Sequence, residues 1–191
     1  LAFGYTQPYQ GYFNYRWMSA CAGEKLTAAW FDALDCDEQQ YYEQAVTTFL
    51  AAPREVTLFH YDAGLFGTSM LERVTDALPA LLALRQAARG PQGVHIIKPP
   101  NADGGRDLFL ADQLGMVGLP LVPATAIEPG MRSVLLTAHA MEGENIAEDI
   151  QRALVAGRQV ILTADALVRA AAKCPQLLPF FGYEPPGIWP S

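Results

Sequence analysis

Two short apolar runs of this chain end in carboxylates. Residues 25–34 (KLTAAWFDAL) carry Asp32 near their close with Asp35 just beyond, and residues 55–61 (EVTLFHY) run through His60 and Tyr61 into Asp62. A β/α barrel places its chemistry at the carboxyl ends of its strands. Carboxylates on neighbouring strand ends are what hydrolysis of a glycosidic bond requires. One acid protonates the leaving oxygen, and a second carboxylate attacks or activates water from the opposite side of the sugar. On this reading Asp32 is the candidate acid or nucleophile, and Asp62 is a candidate for binding sugar hydroxyls. His60, Tyr61 and Trp30 stand beside them in the sequence and complete the candidate substrate-binding set, since amphipathic rings stack on sugar faces. Bland roles compete at each position. Asp35 and Asp37 suit the cap of a following helix, Asp62 suits a turn ahead of Gly64, and His60 suits the core or rim of a strand.

Elsewhere the chemistry thins out. The cluster Tyr5, Tyr9, Tyr12, Phe13, Tyr15 and Trp17 reads as core or lid packing ahead of a sugar platform, because large rings contribute burial first. The turn at 101–105 (NADGG) precedes a helix start and could offer backbone N–H groups to an anion, but it lacks GxGxxG spacing, and a plain connection is expected. His139 follows a strand end near Glu142 and Glu144 and is expected to face solvent. Residues 132–164 read as strand, helix, strand, and the next turn holds Asp165 and Ala166 where a nucleophile would stand. That unit is expected to serve packing or assembly. Cys21, Cys36 and Cys174 are widely spaced, with neither a CxxC pair nor a nearby His. They are expected as buried free thiols, with a Cys21 to Cys36 disulfide as the alternative. Neither a metal nor a cofactor is expected.

The elements that must position these groups follow from hydrophobic period. Tyr41, Tyr42, Ala45, Val46, Phe49 and Leu50 recur on one face of a 3.6-residue repeat, with Asp37 and Gln40 spaced as a capping box and Pro53 as a stop. Residues 55–61 are β-branched and aromatic enough for a strand. A second helix is expected from Ser69, whose hydroxyl would cap while Glu72 reaches back. It runs through Leu71, Val74, Leu78 and Leu81 with a break or kink near Pro79. The GPQG run at 90–93 is the strongest linker and places a domain boundary there. Beyond it strands are expected at 94–97, 132–137 and 160–163, with a short extended segment at 119–122. Helices are expected at 106–114, through Ile146, Ile150, Ala153 and Leu154 with Gly157 as C-cap, and from Leu167 onward. Strands alternating with helices, each strand a continuous apolar run, predict an α/β fold whose parallel sheet is covered on both faces.

Hydrophobic residues make up 51% of the 191, enough for one domain or two small ones. Thirteen basic against 20 acidic residues give a formal charge of -7, and no basic stripe is present to neutralise a phosphate backbone, so nucleic acid is not an expected partner. The most apolar stretch, 77–88, holds Pro79 and Arg85 and is far short of the roughly 20 residues that span a bilayer. No membrane segment is expected. The chain opens on Leu1 rather than Met and closes on FFGYEPPGIWPS, which reads as a piece of a longer polypeptide and leaves localisation open.

Three runs carry a family likeness. IIKPPNADGGRDLFLADQLGMVGLPLVP, SVLLTAHA and AEDIQRALVAGRQVILTADALVRA together resemble the amidotransferase-like domain that follows the catalytic barrel in bacterial β-galactosidase-like glycoside hydrolases, and REVTLFHYDAGLFG resembles the final barrel strand before it. The likeness spans residues 25–172. It implies that residues 1–90 are the last β/α units of a (β/α)8 barrel whose other units lie upstream. Residues 91–191 would then be a doubly wound, class I amidotransferase-like domain that is non-catalytic and helps subunits associate. Where such hydrolases carry a nucleophilic Glu at a late strand end, this chain has Asp32 and Asp35. Where true amidotransferases carry a turn Cys, it has Asp165, so glutaminase activity is not implied. Two readings follow: the C-terminal part of a carbohydrate-active hydrolase, or a saccharide-binding or oligomerisation module without catalysis. Carbohydrate is the expected ligand and a homo-oligomer the expected assembly.

Overall fold

A computed structural model of the chain describes residues 9–59, 69–88, 90–102 and 109–182. The chain divides into two compact units, Leu1–Gly93 with Phe109–Val122, and Val94–Leu108 with Pro123–Ser191. The stretch 109–122, beyond the GPQG linker, thus counts with the first unit.

In the first unit, helix α1 (Tyr9–Ala22) precedes strand β1 (Ala28–Asp32), helix α2 (Glu38–Leu50), strand β2 (Glu55–Phe59) and helix α3 (Ser69–Ala87). Helix α4 (Leu110–Met116) joins them from further along the chain. β1 and β2 pair in parallel, from Ala28 opposite Glu55 to Asp32 opposite Phe59. Alternation along β1 turns Phe31 toward the helices, where it packs with Tyr41, Ala45, Phe49, Val74 and Leu81, while Trp30 is 43% exposed.

α2 starts where the capping box predicts. Asp37 Oδ1 accepts from the Gln40 N–H at 2.7 Å, and the Asp37 N–H donates to Gln40 Oε1 at 2.8 Å. Of the break or kink expected near Pro79, the break does not occur: α3 continues as helix through Pro79, and the buried Val74 and Leu81 on either side hold it against its neighbours. Ser69 is the first described residue of this helix. Its buried face is set by Met70, Val74 and Leu81, and Leu78 is 39% exposed. At 3.6 residues per turn Leu71 and Leu78 lie roughly 60–80° around the helix from the middle of that face, so of the expected stripe Val74 and Leu81 reach the core while Leu71 and Leu78 stand at its margin.

α1 was not legible as a helix, because its rings, at Tyr9, Tyr12, Phe13, Tyr15 and Trp17, spread around more than half of the helix and leave no narrow apolar stripe. Its Tyr12, Phe13 and Tyr15 are nonetheless buried, in keeping with a packing role. Arg16 of α1 donates from one guanidinium nitrogen to the carbonyls of Leu50 at 3.1 Å and Ala88 at 2.7 Å. One cation therefore closes the carboxyl ends of both α2 and α3, where orphan carbonyls and the helix dipoles favour positive charge.

Strands β3 (Val94–Ile97), β4 (Leu121–Ala124, of which Leu121 and Val122 count with the first unit), β5 (Ser133–Leu136) and β6 (Gln159–Leu162) lie in the order β4-β3-β5-β6, and β5 pairs in parallel with both β3 and β6. Helices α5 (Ile146–Val155) and α6 (Ala164–Lys173) supply Ile146, Ile150, Ala166 and Ala170 to a core with Val134 and Leu136. α5 ends as expected at Gly157, which adopts φ 71°. The Gly157 N–H donates to Leu154 and the Arg158 N–H to Ala153, both at 3.0 Å, which completes a Schellman closure. The expectation of a sheet covered on both faces fails at β6. As the edge strand it leaves Gln159 and Ile161 exposed. The fold class is α/β with parallel strands.

Candidate functional site

β1 delivers Asp32 as its last residue, and the chain turns sharply beyond it. Asp32 Oδ1 accepts from the Leu34 N–H at 2.9 Å, the local side-chain bond by which Asp initiates a turn. The Cys36 N–H donates to the Ala33 carbonyl at 3.3 Å to close that turn, and Asp35 sits in it at φ 54°, a conformation that Asp tolerates better than most residues. Asp35 therefore serves the turn and Asp37 the helix cap. Asp32 is 2% exposed.

α2 returns beneath this turn and brings polar groups that sequence reasoning missed. Gln44 Nε2 donates to the Asp32 carbonyl at 3.1 Å and to Cys36 Sγ at 2.9 Å, and the Cys36 thiol donates to the Leu34 carbonyl at 3.2 Å. Tyr41 is wholly buried alongside. Its hydroxyl pKa is pushed up to about 12, by burial first, then by the charge of Asp32 and of Cys36. The Tyr41 hydroxyl and Gln44 Oε1 are buried without a hydrogen-bond partner among the described residues. In the hydrophobic repeat Tyr41 counts as an apolar stripe residue, and Gln44 falls between stripe positions. The one available signal was a polar Gln directly before Ala45 on a buried face.

Trp30, two residues before Asp32, is exposed as a sugar platform would need to be. His60, Tyr61 and Asp62 lie outside the described residues, as do Tyr5 and the rest of the NADGG connection beyond Ala102.

The second unit has its own customary place for a ligand. In doubly wound sheets it is the crevice where the strand order reverses, here between β3 and β5. A 3-10 turn, Ala138–Glu142, follows β5 with Ala138, His139, Ala140 and Met141 all buried. Gly143 approaches Pro99, which follows β3, and the Lys173 ammonium donates to the carbonyls of Met141 at 2.7 Å and Gly143 at 3.2 Å. The buried 3-10 turn and the Lys173 bonds thus lie at the carboxyl end of β5. His139 was expected in solvent and is 6% exposed, because the residues after β5 coil inward as a 3-10 turn instead of leaving as a loop.

The turn after β6 is a helix cap. Thr163 Oγ1 accepts from the Ala166 N–H at 3.2 Å, and Asp165 pairs with Arg169 at 3.6 Å one helical turn on. None of the three cysteines forms a disulfide, and only Cys174 is fully buried, so the expectation of buried thiols fails for the exposed Cys21 and the half-buried Cys36. Burial pushes the Cys174 thiol pKa up, with Lys173 opposing more weakly. Among the described residues no three His, Cys, Asp or Glu side chains are grouped to hold a metal ion, and no helix is long and apolar enough to cross a membrane.

The strand-end geometry coincides with a family match. The family described as "Probable glycosyl hydrolase, catalytic domain" matches residues 2–75. That part of the chain is similar to a glycosyl hydrolase catalytic domain. A second family, "Uncharacterized protein SSO3021, second domain", matches residues 90–177. No curated protein and no solved structure matches the chain. The glycosyl hydrolase match takes in β1, α2 and β2, and with them the Asp32 strand end. Neither description names an amidotransferase or a β-galactosidase.

Proposed function

We propose that the first unit is part of a (β/α)8 barrel of glycoside-hydrolase type, with its carbohydrate site at the carboxyl ends of β1 and β2. The supporting observation is that the glycosyl hydrolase match covers a parallel strand pair ending in the carboxylate Asp32. Two parallel strands do not close a barrel, so the reading requires further β/α units beyond these residues. Asp32 acts as acid or nucleophile. Its Oδ1 is committed to the Leu34 N–H, which leaves the chemistry to Oδ2. Asp62 binds sugar hydroxyls, and His60, Tyr61 and Trp30 complete the substrate wall.

The second unit is a doubly wound, amidotransferase-like domain that is non-catalytic and assists assembly of an oligomer. Counted within the unit its strand order is 2-1-3-4, as in doubly wound sheets, and its packed switch point supports a role other than catalysis. The burial of Asp32 favours one competing reading, a saccharide-binding or oligomerisation module without hydrolysis. Saccharide titration of the full-length polypeptide tests the location of the site. Trp30→Ala should weaken binding about five- to tenfold at unchanged melting temperature, as expected for loss of one stacked ring. Equal affinity in both proteins would move the site away from β1.

A further inference from the structure

The contact between α1 and α4 in the first unit is built from tyrosines around a carboxylate. Tyr12 donates its hydroxyl to the Leu121 carbonyl at 3.2 Å, just beyond α4, and its ring packs on Tyr9 with centroids 5.0 Å apart. The Tyr9 ring lies so close over Gly115 of α4 that a Cβ there would overlap it. One turn before Gly115, Asp112 is 3% exposed. α4 (LADQLGM) has no other charged residue, and the following strand β4 (LVPA) has none. The one cation of α1, Arg16, has its guanidinium over the Tyr12 ring and donates to Leu50 and Ala88. The titratable groups of α1 on this side are thus Tyr9 and Tyr12, and neither compensates a carboxylate's charge. Asp112 makes no ion pair among the described residues.

We propose that the α1–α4 contact is a proton-dependent clamp: neutral Asp112 keeps the short helix α4 docked under the tyrosines, and ionised Asp112 loosens it. Burial raises the Asp112 pKa from 3.8 to about 6. The sign follows from that direction. The docked state holds its proton more tightly than the undocked one, so docking is strongest at low pH, weakens as pH rises from about 4 to about 6, and is flat above that. Between those two values the docking equilibrium falls about tenfold for each step of one in pH, so the full swing is about a hundredfold. A helix of 7 residues has little stability of its own, and so responds to the loss of its docking contact.

The test is amide hydrogen exchange on the 191-residue chain at pH 4.5 and pH 7.5, expressed as protection factors so that the intrinsic pH dependence of exchange is removed. Protection of the α4 amides should fall between tenfold and a hundredfold at the higher pH, while β5 amides stay unchanged. Asp112→Asn, neutral at both pH values and close in shape, should keep α4 protected throughout. Gly115→Ala, whose methyl would stand on the Tyr9 ring, should give low α4 protection at both. A wild type with equal protection at the two pH values overturns the clamp. So does an Asp112→Asn protein that retains the pH difference.

Discussion

The buried strand-end cluster shows how one residue can be placed by chemistry that a sequence pattern does not display. Asp32 was legible as a strand-end carboxylate, because an apolar run ending in Asp has few other readings. The bond from the Leu34 N–H to its Oδ1 is local turn chemistry, but that Gln44 would bond the Asp32 carbonyl depends on where α2 returns, which no local period reveals. Tyr41 illustrates the energetic side. Its hydroxyl is buried without a partner among the described residues, so it contributes ring burial but no hydrogen bond. Removing an unsatisfied polar group while keeping the ring costs nothing and relieves desolvation. Tyr41→Phe should therefore leave the melting temperature unchanged or raise it, by up to about 1 kcal/mol in stability. A clear drop in thermal melting would show that the hydroxyl is bonded after all.

At the scale of elements, helix ends carry much of what sequence could predict. Asp37 with Gln40, and Gly157 after α5, were legible because capping needs particular side chains at fixed offsets, and both caps form as the offsets require. Arg16 was not legible, since the two carbonyls it bonds come from positions 34 and 72 residues away. Charge-assisted bonds to two helix ends make it the larger contributor. Arg16→Met keeps the aliphatic stem and removes the donors, and should destabilise the first unit by about 2–3 kcal/mol in chemical denaturation. Asp37→Ala should cost about 1 kcal/mol, the ordinary value of an N-cap. An Arg16→Met loss no greater than that of Asp37→Ala would mean that the guanidinium bonds are solvent-exchanged and of little weight.

For the whole molecule, alternating strands and helices made the α/β class legible from period alone, and the parallel pairings bear it out. The membership of 109–122 in the first unit was not legible, because it rests on a shape fit between Tyr9 and Gly115 across a long loop of sequence. That fit predicts how the chain tolerates cutting. A fragment of residues 1–93 lacks α4 and leaves Tyr9 and Tyr12 without their cover, besides having a sheet of only two strands. It should show no cooperative thermal transition by circular dichroism, and a sharp transition from that fragment would contradict the division.

The central claim, that Asp32 stands at a carbohydrate site and acts there, is tested most directly by turnover of aryl glycosides by the full-length polypeptide and its Asp32→Asn variant, each with a melting curve. Asn retains an oxygen to accept from Leu34, so the fold should be preserved while the carboxylate's chemistry is lost. The account predicts equal melting temperatures and a fall in kcat of about a hundredfold or more, because the missing group acts in the transition state. A fall in sugar affinity with kcat unchanged would place Asp32 in binding alone. Equal turnover and equal affinity in the two proteins would contradict the claim.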